Sequence, residues 1–372
     1  MKLTHIHVVS LDVPFPPDYG GVIDIYYRLK ALKNLGVYVI LHCFEYGRGT
    51  AHEFGEVADE VYYYPRKKSL WTNFKREPFI VASRKSEILV NRLLENDYPI
   101  LMEGLHCTSI LQDERFADRI KWVRVHNIEW HYYEALSHAT KSTWKKAFFK
   151  TESKKLKKYE GELRKADALF CLSENDLAYY RSKNYTVHYW PVGCAFEPNV
   201  GEHTGDFALF HGNLSVGENE KALRWVIQTW QEKQLKMPLV IAGKNPSIQL
   251  RKYLEEFPFV TLRANPSQEI MKELIQSAAV HVLITFQSTG VKLKLINALL
   301  QGSRCIVNPL MVEGTALEAF CEVVDDQQEL ADAITNSPQN GVSKTDRIAF
   351  LKAHFEPTEA AKKALESVGF IR

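Results

Sequence analysis

Two lysines two positions apart, Lys292 and Lys294, follow the tripeptide Ser288-Thr289-Gly290, which in turn follows the apolar run Val280–Ile284. The run reads as a strand and the tripeptide as a tight turn that opens a helix. Backbone N–H groups at such an opening lack partners, and together with the helix dipole they favour an anion. Two ammonium groups within the first turns add positive charge, so phosphate is the expected guest. Gly290, Lys294, Asn297 and Gln301 recur on one face, while Leu293, Ile296, Leu299 and Leu300 supply the apolar side. On the pattern alone, a solvated amphipathic face explains these lysines as well as a phosphate site does.

Other candidates sit where apolar runs end. Gly20-Gly21 lies between a Pro-rich loop and the helical pattern that follows, where adjacent glycines let backbone approach a ligand or simply make a tight turn. Gly212-Asn213 and Gly243-Lys244 end two further runs, and Glu313-Gly314-Thr315 closes the stretch that begins at Ser288. His126 and His106 follow short apolar runs, and Glu129 stands three residues past His126. A histidine at a strand end can orient a hydroxyl or move a proton near neutral pH, or it is an ordinary polar loop residue. No HxxxH or HExxH spacing occurs, so no metal is expected.

These positions need a scaffold that brings strand ends together. In the first half, apolar runs at His5–Val9, Tyr38–Cys43, Val61–Tyr64, Ile100–Met102, Lys121–Val125 and Ala168–Leu172 alternate with helical patterns. That alternation predicts a parallel sheet with helices on both faces, whose ligands lie beyond the carboxyl ends of the strands. A polar run, Glu197–Asp206, reads as a linker, after which Phe207–Leu214 starts a second unit of the same kind. The 372 residues suffice for two domains. A net charge of +2 restricts electrostatic arguments to local clusters, and six scattered cysteines without CxxC spacing read as reduced core thiols. The opening MKLTHIHVVSLDVP reads as a strand rather than a signal peptide, and no apolar stretch approaches the roughly 20 residues that span a bilayer.

The order STGVKLKLINALLQGSRCIVNPLMVEGT resembles the donor-binding segment of family 4 glycosyltransferases of the GT-B fold. The same family opens its second domain much as GNLSVGENEKALRW does, with Asn219, Ala222 and Trp225 kept and Glu218 in place of a proline. Gly20-Gly21 and the following Leu29-x3-Leu-x-Gly36-Val-x-Val39 match its first helix, and VRVHNIE matches the segment whose histidine contacts the transferred sugar. The resemblance implies an α/β GT-B fold: two Rossmann-like domains with an interdomain cleft. The expected parts are an N-terminal acceptor-side domain over 1–195, a nucleotide-sugar-binding domain over 196–356, and a helix over 357–372 that returns toward the first domain. It implies retaining, metal-independent transfer of a sugar from a nucleotide-sugar to a glycan or lipid-linked acceptor, with no cofactor beyond that co-substrate. His126, Lys294 and Lys292 would be catalytic. Gly20, Gly21, Gly212, Asn213, Gly243, Lys244, Ser288, Thr289, Gly290, Asn297 and Glu313 would hold the donor, with His106 and Glu129 on the acceptor side. One departure stands out: the family's ribose-binding acid is Asn297 here, and the earlier acid of its pair is Thr289. Asparagine accepts a hydrogen bond but carries no charge, which leaves open a non-catalytic GT-B subunit. An NAD-dependent oxidoreductase lacks the GxGxxG it would need after the first strand.

Lys141–Lys165 holds ten basic and three acidic residues with Trp144, Phe148 and Phe149 among them, and Arg66–Arg76 is similar in character. Such a helix suits an anionic membrane surface, or a solvated face packed on its own domain. No nucleic-acid-binding module accompanies the charge, so nucleic acid is not an expected partner. The expected location is cytoplasmic, peripheral at the inner face of the membrane.

Overall fold

The computed structural model describes residues 2–17, 20–50, 54–67, 76–140, 142–199, 205–287, 293–336 and 342–370. The chain divides into two compact units, Met1–Cys194 with His354–Arg372, and Ala195–Ala353. Each is built on one parallel sheet.

The first sheet contains β1 (His5–Ser10), β2 (Tyr38–Glu45), β3 (Glu60–Pro65), β4 (Ile100–Glu103), β5 (Lys121–Val125), β6 (Ala168–Cys171) and β7 (Val187–Tyr189) in the order β3-β2-β1-β4-β5-β6-β7. The central strands β4, β5 and β6 are buried along their whole length, as expected of a sheet covered on both faces. On one face Ile6, Val8, Val39, Leu41 and Leu101 pack with the Gly20–Asn34 helix; on the other Val9, Met102, Val123 and Leu169 pack with Leu156 and Leu163. The Pro357–Ser367 helix joins the first of these cores through Ala360, Ala361, Ala364 and Leu365, and Phe370 meets Trp122 edge-on at 5.2 Å.

The second sheet contains β8 (Ala208–Asn213), β9 (Leu239–Lys244), β10 (Val260–Ala264), β11 (Val280–Leu283), β12 (Arg304–Val307) and β13 (Glu322–Val323) in the order β10-β9-β8-β11-β12-β13. β8 and β9 run so close at their ends that a Cβ on Gly243 would lie 1.9 Å from the Gly212 carbonyl oxygen. Gly243 is thus required by strand packing itself. In each sheet the strand order reverses beside the first strand, between β1 and β4 and between β8 and β11. In open α/β sheets, ligands bind just beyond that point.

Candidate functional site

In the second unit the carboxyl ends of β8, β9 and β11 collect polar groups. Gly212 pairs with Gly243 and Asn213 with Lys244 in register. Asn219, in the first turns of the Gly217–Glu232 helix, donates from Nδ2 to the Asn213 carbonyl at 2.9 Å and accepts from Lys294 Nζ at 3.3 Å. Its amide therefore joins the two elements that the sequence singled out separately. Lys294 also stands 5.7 Å above the Phe210 ring and lies near enough to His211 to act on it. Burial, then His281 and Lys294, drive the His211 imidazole well below its usual value, so it stays neutral beside the ammonium.

The Leu293–Gln301 helix is buried at Leu295, Ile296, Ala298, Leu299, Leu300 and Gln301, while Lys294 and Asn297 are half-buried. Lys294 is therefore not fully solvated. Gln301, grouped with Lys294 by spacing, is buried at the far end of the helix, where its carbonyl accepts from Asn199 Nδ2 at 3.1 Å. Glu313 and Lys244 are exposed, and Asn213 uses its side-chain oxygen to accept from Ser215 N and Oγ at 3.1 and 2.8 Å. Ser288, Thr289, Gly290 and Lys292 lie outside the described residues.

Glu218 was noted in the sequence only as the residue replacing a proline. Its Oε1 accepts from Thr285 Oγ1 at 2.5 Å and from the Phe286 N–H at 3.0 Å. Asn308 grips the same residue from the other side, accepting from Thr285 N at 3.0 Å and donating to Thr285 O at 2.6 Å. The chain leaving β11 is therefore fixed from two elements just before it reaches residue 288.

In the first unit, Gly20 and Gly21 open the Gly20–Asn34 helix, Gly20 exposed and Gly21 half-buried. One turn on, Asp24 and Arg28 point inward. Asp24 accepts from Arg28 at 2.8 Å, from Arg124 and from the Gly193 N–H at 2.7 Å. Burial alone would raise the Asp24 carboxyl, but Arg124 and Arg28 outweigh it and hold it at about 2. Arg28 Nε also lies 3.3 Å from Glu103 Oε1, an ionic contact without hydrogen-bond alignment. Glu103 Oε2 in turn accepts from His126 Nε2 at 2.8 Å. The helix that begins with the glycine pair is thereby tied to His126 through the buried Arg28–Glu103 contact and the Glu103–His126 hydrogen bond.

His106 is half-buried just past β4, and Glu129 lies deeper. Burial, then Arg84 and His126, hold His106 well below its usual value. Glu129 is 5% exposed. Burial pushes its carboxyl up to about 8, Asp176 adding to the rise and Arg84 opposing it, so it is protonated at neutral pH. Both are within electrostatic reach of Arg84, which donates to the Leu11 and Ile80 carbonyls at 3.1 and 2.8 Å.

Among the described residues no group of three or more His, Cys, Asp and Glu side chains is arranged to hold a metal ion, and no helix is long and apolar enough to cross a membrane. The six cysteines are buried thiols, none of them in a disulfide.

Residues 206–340 match the family described as Glycosyl transferases group 1. A Klebsiella pneumoniae protein described as an uncharacterized 44.6 kDa protein in the cps region is 26% identical over 98% of this chain and 99% of its own. HepE of Anabaena, solved in complex with UDP and glucose, superposes with a TM-score of 0.66 at 11% identity over 98% of this chain and 99% of that one. The trehalose-6-phosphate synthase OtsA gives 0.64 at 12% identity over 99% and 100%. At such identities the likeness is one of fold, and the fold is GT-B. The family match and the shared fold together support a glycosyltransferase of GT-B type.

Proposed function

We propose that this chain is a retaining glycosyltransferase that moves a sugar from a nucleotide-sugar to a glycan or lipid-linked acceptor. The observation that carries the reading is the anchoring of Lys294 by Asn219 at the carboxyl end of β8, within the segment that matches the group 1 glycosyl transferases. In the reaction, the bond between the anomeric carbon and the diphosphate oxygen breaks. A bond from the acceptor hydroxyl to the same face of that carbon forms, and the hydroxyl proton passes to the leaving nucleoside diphosphate. Negative charge grows on the leaving phosphate, and Lys294, with Lys292 and the backbone around Ser288–Gly290, takes the place a metal ion would otherwise fill. Gly212, Asn213, Gly243, Lys244, Asn297 and Glu313 surround the nucleotide in this reading, with Gly20 and Gly21 approaching the diphosphate. His126 meets the transferred sugar, and His106 and Glu129 belong to the acceptor side.

HepE was solved with UDP and glucose, which makes a UDP-sugar the first donor to test. The Klebsiella relative's place in a cps region favours a polysaccharide precursor as acceptor. The cationic Thr143–Tyr159 helix favours work at the cytoplasmic face of a membrane. Asn297 sustains a second reading, a GT-B subunit that binds the nucleotide without turning it over. Thermal shift against UDP, GDP and their sugars, followed by hydrolysis and transfer assays with the stabilising donor, separates the two. Stabilisation without turnover supports the binding subunit, and stabilisation by no nucleotide overturns both.

A further inference from the structure

The interaction that holds His126 comes from a residue whose own surroundings are fully enclosed. Glu103 is 0% exposed, as is Arg124, and Asp24 and Arg28 are 2% exposed. A lone carboxylate at such a place would be strongly destabilising, and it persists only where opposite charge and hydrogen bonds meet it. Here they do. Arg28 faces Glu103, Asp24 takes both Arg28 and Arg124, and Arg124 Nη2 also donates to the Trp190 and Pro191 carbonyls at 3.0 and 2.9 Å. Two guanidinium groups balance two carboxylates without any contribution from His126. The imidazole is thus not needed to neutralise Glu103, and the hydrogen bond between them serves another purpose.

We propose that Glu103 is the positioning residue of His126: its carboxylate accepts the hydrogen bond from Nε2–H, fixes the ring plane and the tautomer, and leaves Nδ1 as the nitrogen that meets a ligand. The chemistry requires this direction. An ionised carboxylate only accepts, so Nε2 carries hydrogen in the neutral ring as well as in the imidazolium. Among the described residues Nδ1 has no hydrogen-bond partner, and the side chain is 11% exposed. Asp24 and Arg28 extend the same restraint to the helix opened by Gly20 and Gly21, so one buried array sets His126 and the glycine pair together. The charged and titratable groups around the ring are Glu103 at the end of β4 and His106 just after it, Arg124 on β5, Asp24 and Arg28 on the Gly20–Asn34 helix, and Arg84 beyond His106. The functional part of the assignment rests on the reading of His126 as a sugar-contacting group; the geometric part does not.

Full-length protein labelled with 15N-histidine tests it, in the wild type and in Glu103→Gln. The glutamine oxygen can still accept from Nε2, but the charge is gone. The wild-type His126 ring is expected as the Nε2–H tautomer, and in Glu103→Gln the Nε2–H signal is expected to broaden or vanish through faster exchange with solvent, because a neutral oxygen holds that hydrogen more weakly than a carboxylate does. With a donor that the wild type turns over, kcat is expected to drop about 10–100-fold while the donor KM changes by less than about twofold. Should Glu103→Gln fail to fold because Arg28 is left uncompensated, the paired change Glu103→Gln with Arg28→Met removes both charges and carries the same measurement. A folded variant whose His126 Nε2–H signal and tautomer match the wild type overturns the assignment. If no nucleotide-sugar is turned over by the wild type, the glycosyltransferase reading fails while the ring spectrum still decides the role of Glu103.

Discussion

Glu218 Oε1 lies 2.5 Å from Thr285 Oγ1, joining the start of the Gly217–Glu232 helix to the exit of β11, 67 residues further along the chain. The same oxygen accepts the Phe286 N–H, so one carboxylate holds two donors of the segment that leads to the proposed phosphate site. Glu218→Ala leaves both donors unmet and is expected to destabilise the second unit by about 1–3 kcal/mol, read as a shift in urea midpoint. It should also weaken UDP binding by calorimetry more than Glu218→Gln, whose amide oxygen still accepts. Equal UDP affinity in the alanine variant and the wild type would show that this tie does not shape the site.

Lys294 is the most direct test of the phosphate reading. Its ammonium is held by the neutral Asn219 oxygen, a contact that orients it without cancelling its charge. Lys294→Ala removes a charge-assisted bond to the diphosphate and should cost about 1.5–3 kcal/mol of nucleotide affinity, roughly 10- to 150-fold in Kd. Lys294→Ala binding UDP as tightly as the wild type would remove the phosphate from this place.

Asn297 lies one turn beyond Lys294 and is half-buried. If the ribose reaches it, Asn297→Glu converts a neutral acceptor into a charged one, which roughly doubles the strength of such a bond. UDP affinity is then expected to rise by about 1 kcal/mol, with no gain for an analogue that lacks the ribose hydroxyls. A gain of equal size for that analogue would place the new charge elsewhere than on the ribose.

The Thr143–Tyr159 helix buries Glu152, Ser153, Leu156 and Tyr159 and leaves Lys145, Lys146, Lys150, Lys154, Lys157 and Lys158 outward, with Trp144 86% exposed near its start. Each lysine near an anionic surface contributes about 1 kcal/mol. Lys145→Glu with Lys146→Glu and Lys150→Glu should therefore reduce co-sedimentation with phosphatidylglycerol-containing vesicles by at least about 100-fold at low salt. Trp144 emission should move to shorter wavelength on binding. Failure of the wild type to bind these vesicles at low salt would assign the helix to solvent.

What the sequence made legible was whatever depends on neighbours in the chain. Apolar runs such as Val280–Ile284 and Lys121–Val125 gave the parallel strands, and the polar residues just past them marked the ends where ligands gather. The three-residue strand β7 left no periodic signal. The buried array was hidden for a different reason. Asp24 and Arg124 are 100 residues apart, and Glu103 ends β4 while His126 follows β5, so nothing local distinguishes them from charges at a surface. A hint did exist: Asp24 and Arg28 interrupt the apolar face of Val22, Ile25, Leu29 and Leu32 at helical spacing, and Arg124 stands inside a strand of otherwise apolar neighbours. Charged residues at core positions call for partners.

Acid should destabilise both units through their buried histidines. His7 is lowered to about 4, chiefly by burial, and burial drives His42 and His106 well below their usual value in the first unit. In the second, His211 is driven well below and His281 to about 4 for the same reason. A buried imidazole of depressed pKa refuses a proton that the unfolded chain accepts. Its stabilising effect is whole above about pH 6.5 and lost toward pH 4, at up to about 1.4 kcal/mol per pH unit and group. Raised carboxyls act in the opposite direction, keeping a proton in the folded state that the unfolded chain releases. In the first unit burial also lowers His131 and His188, and raises Glu129 to about 8 and Asp176 to about 6, which offsets part of the histidine loss between about pH 4.5 and 6. Among the described residues the second unit has no raised carboxyl to offset His211 and His281. Hydrogen exchange across 205–336 should therefore rise as pH falls from 7 to 5. His281→Leu should flatten the second unit's dependence by about one proton's worth. An unchanged pH dependence in His281→Leu would mean that His281 is not buried as a neutral ring.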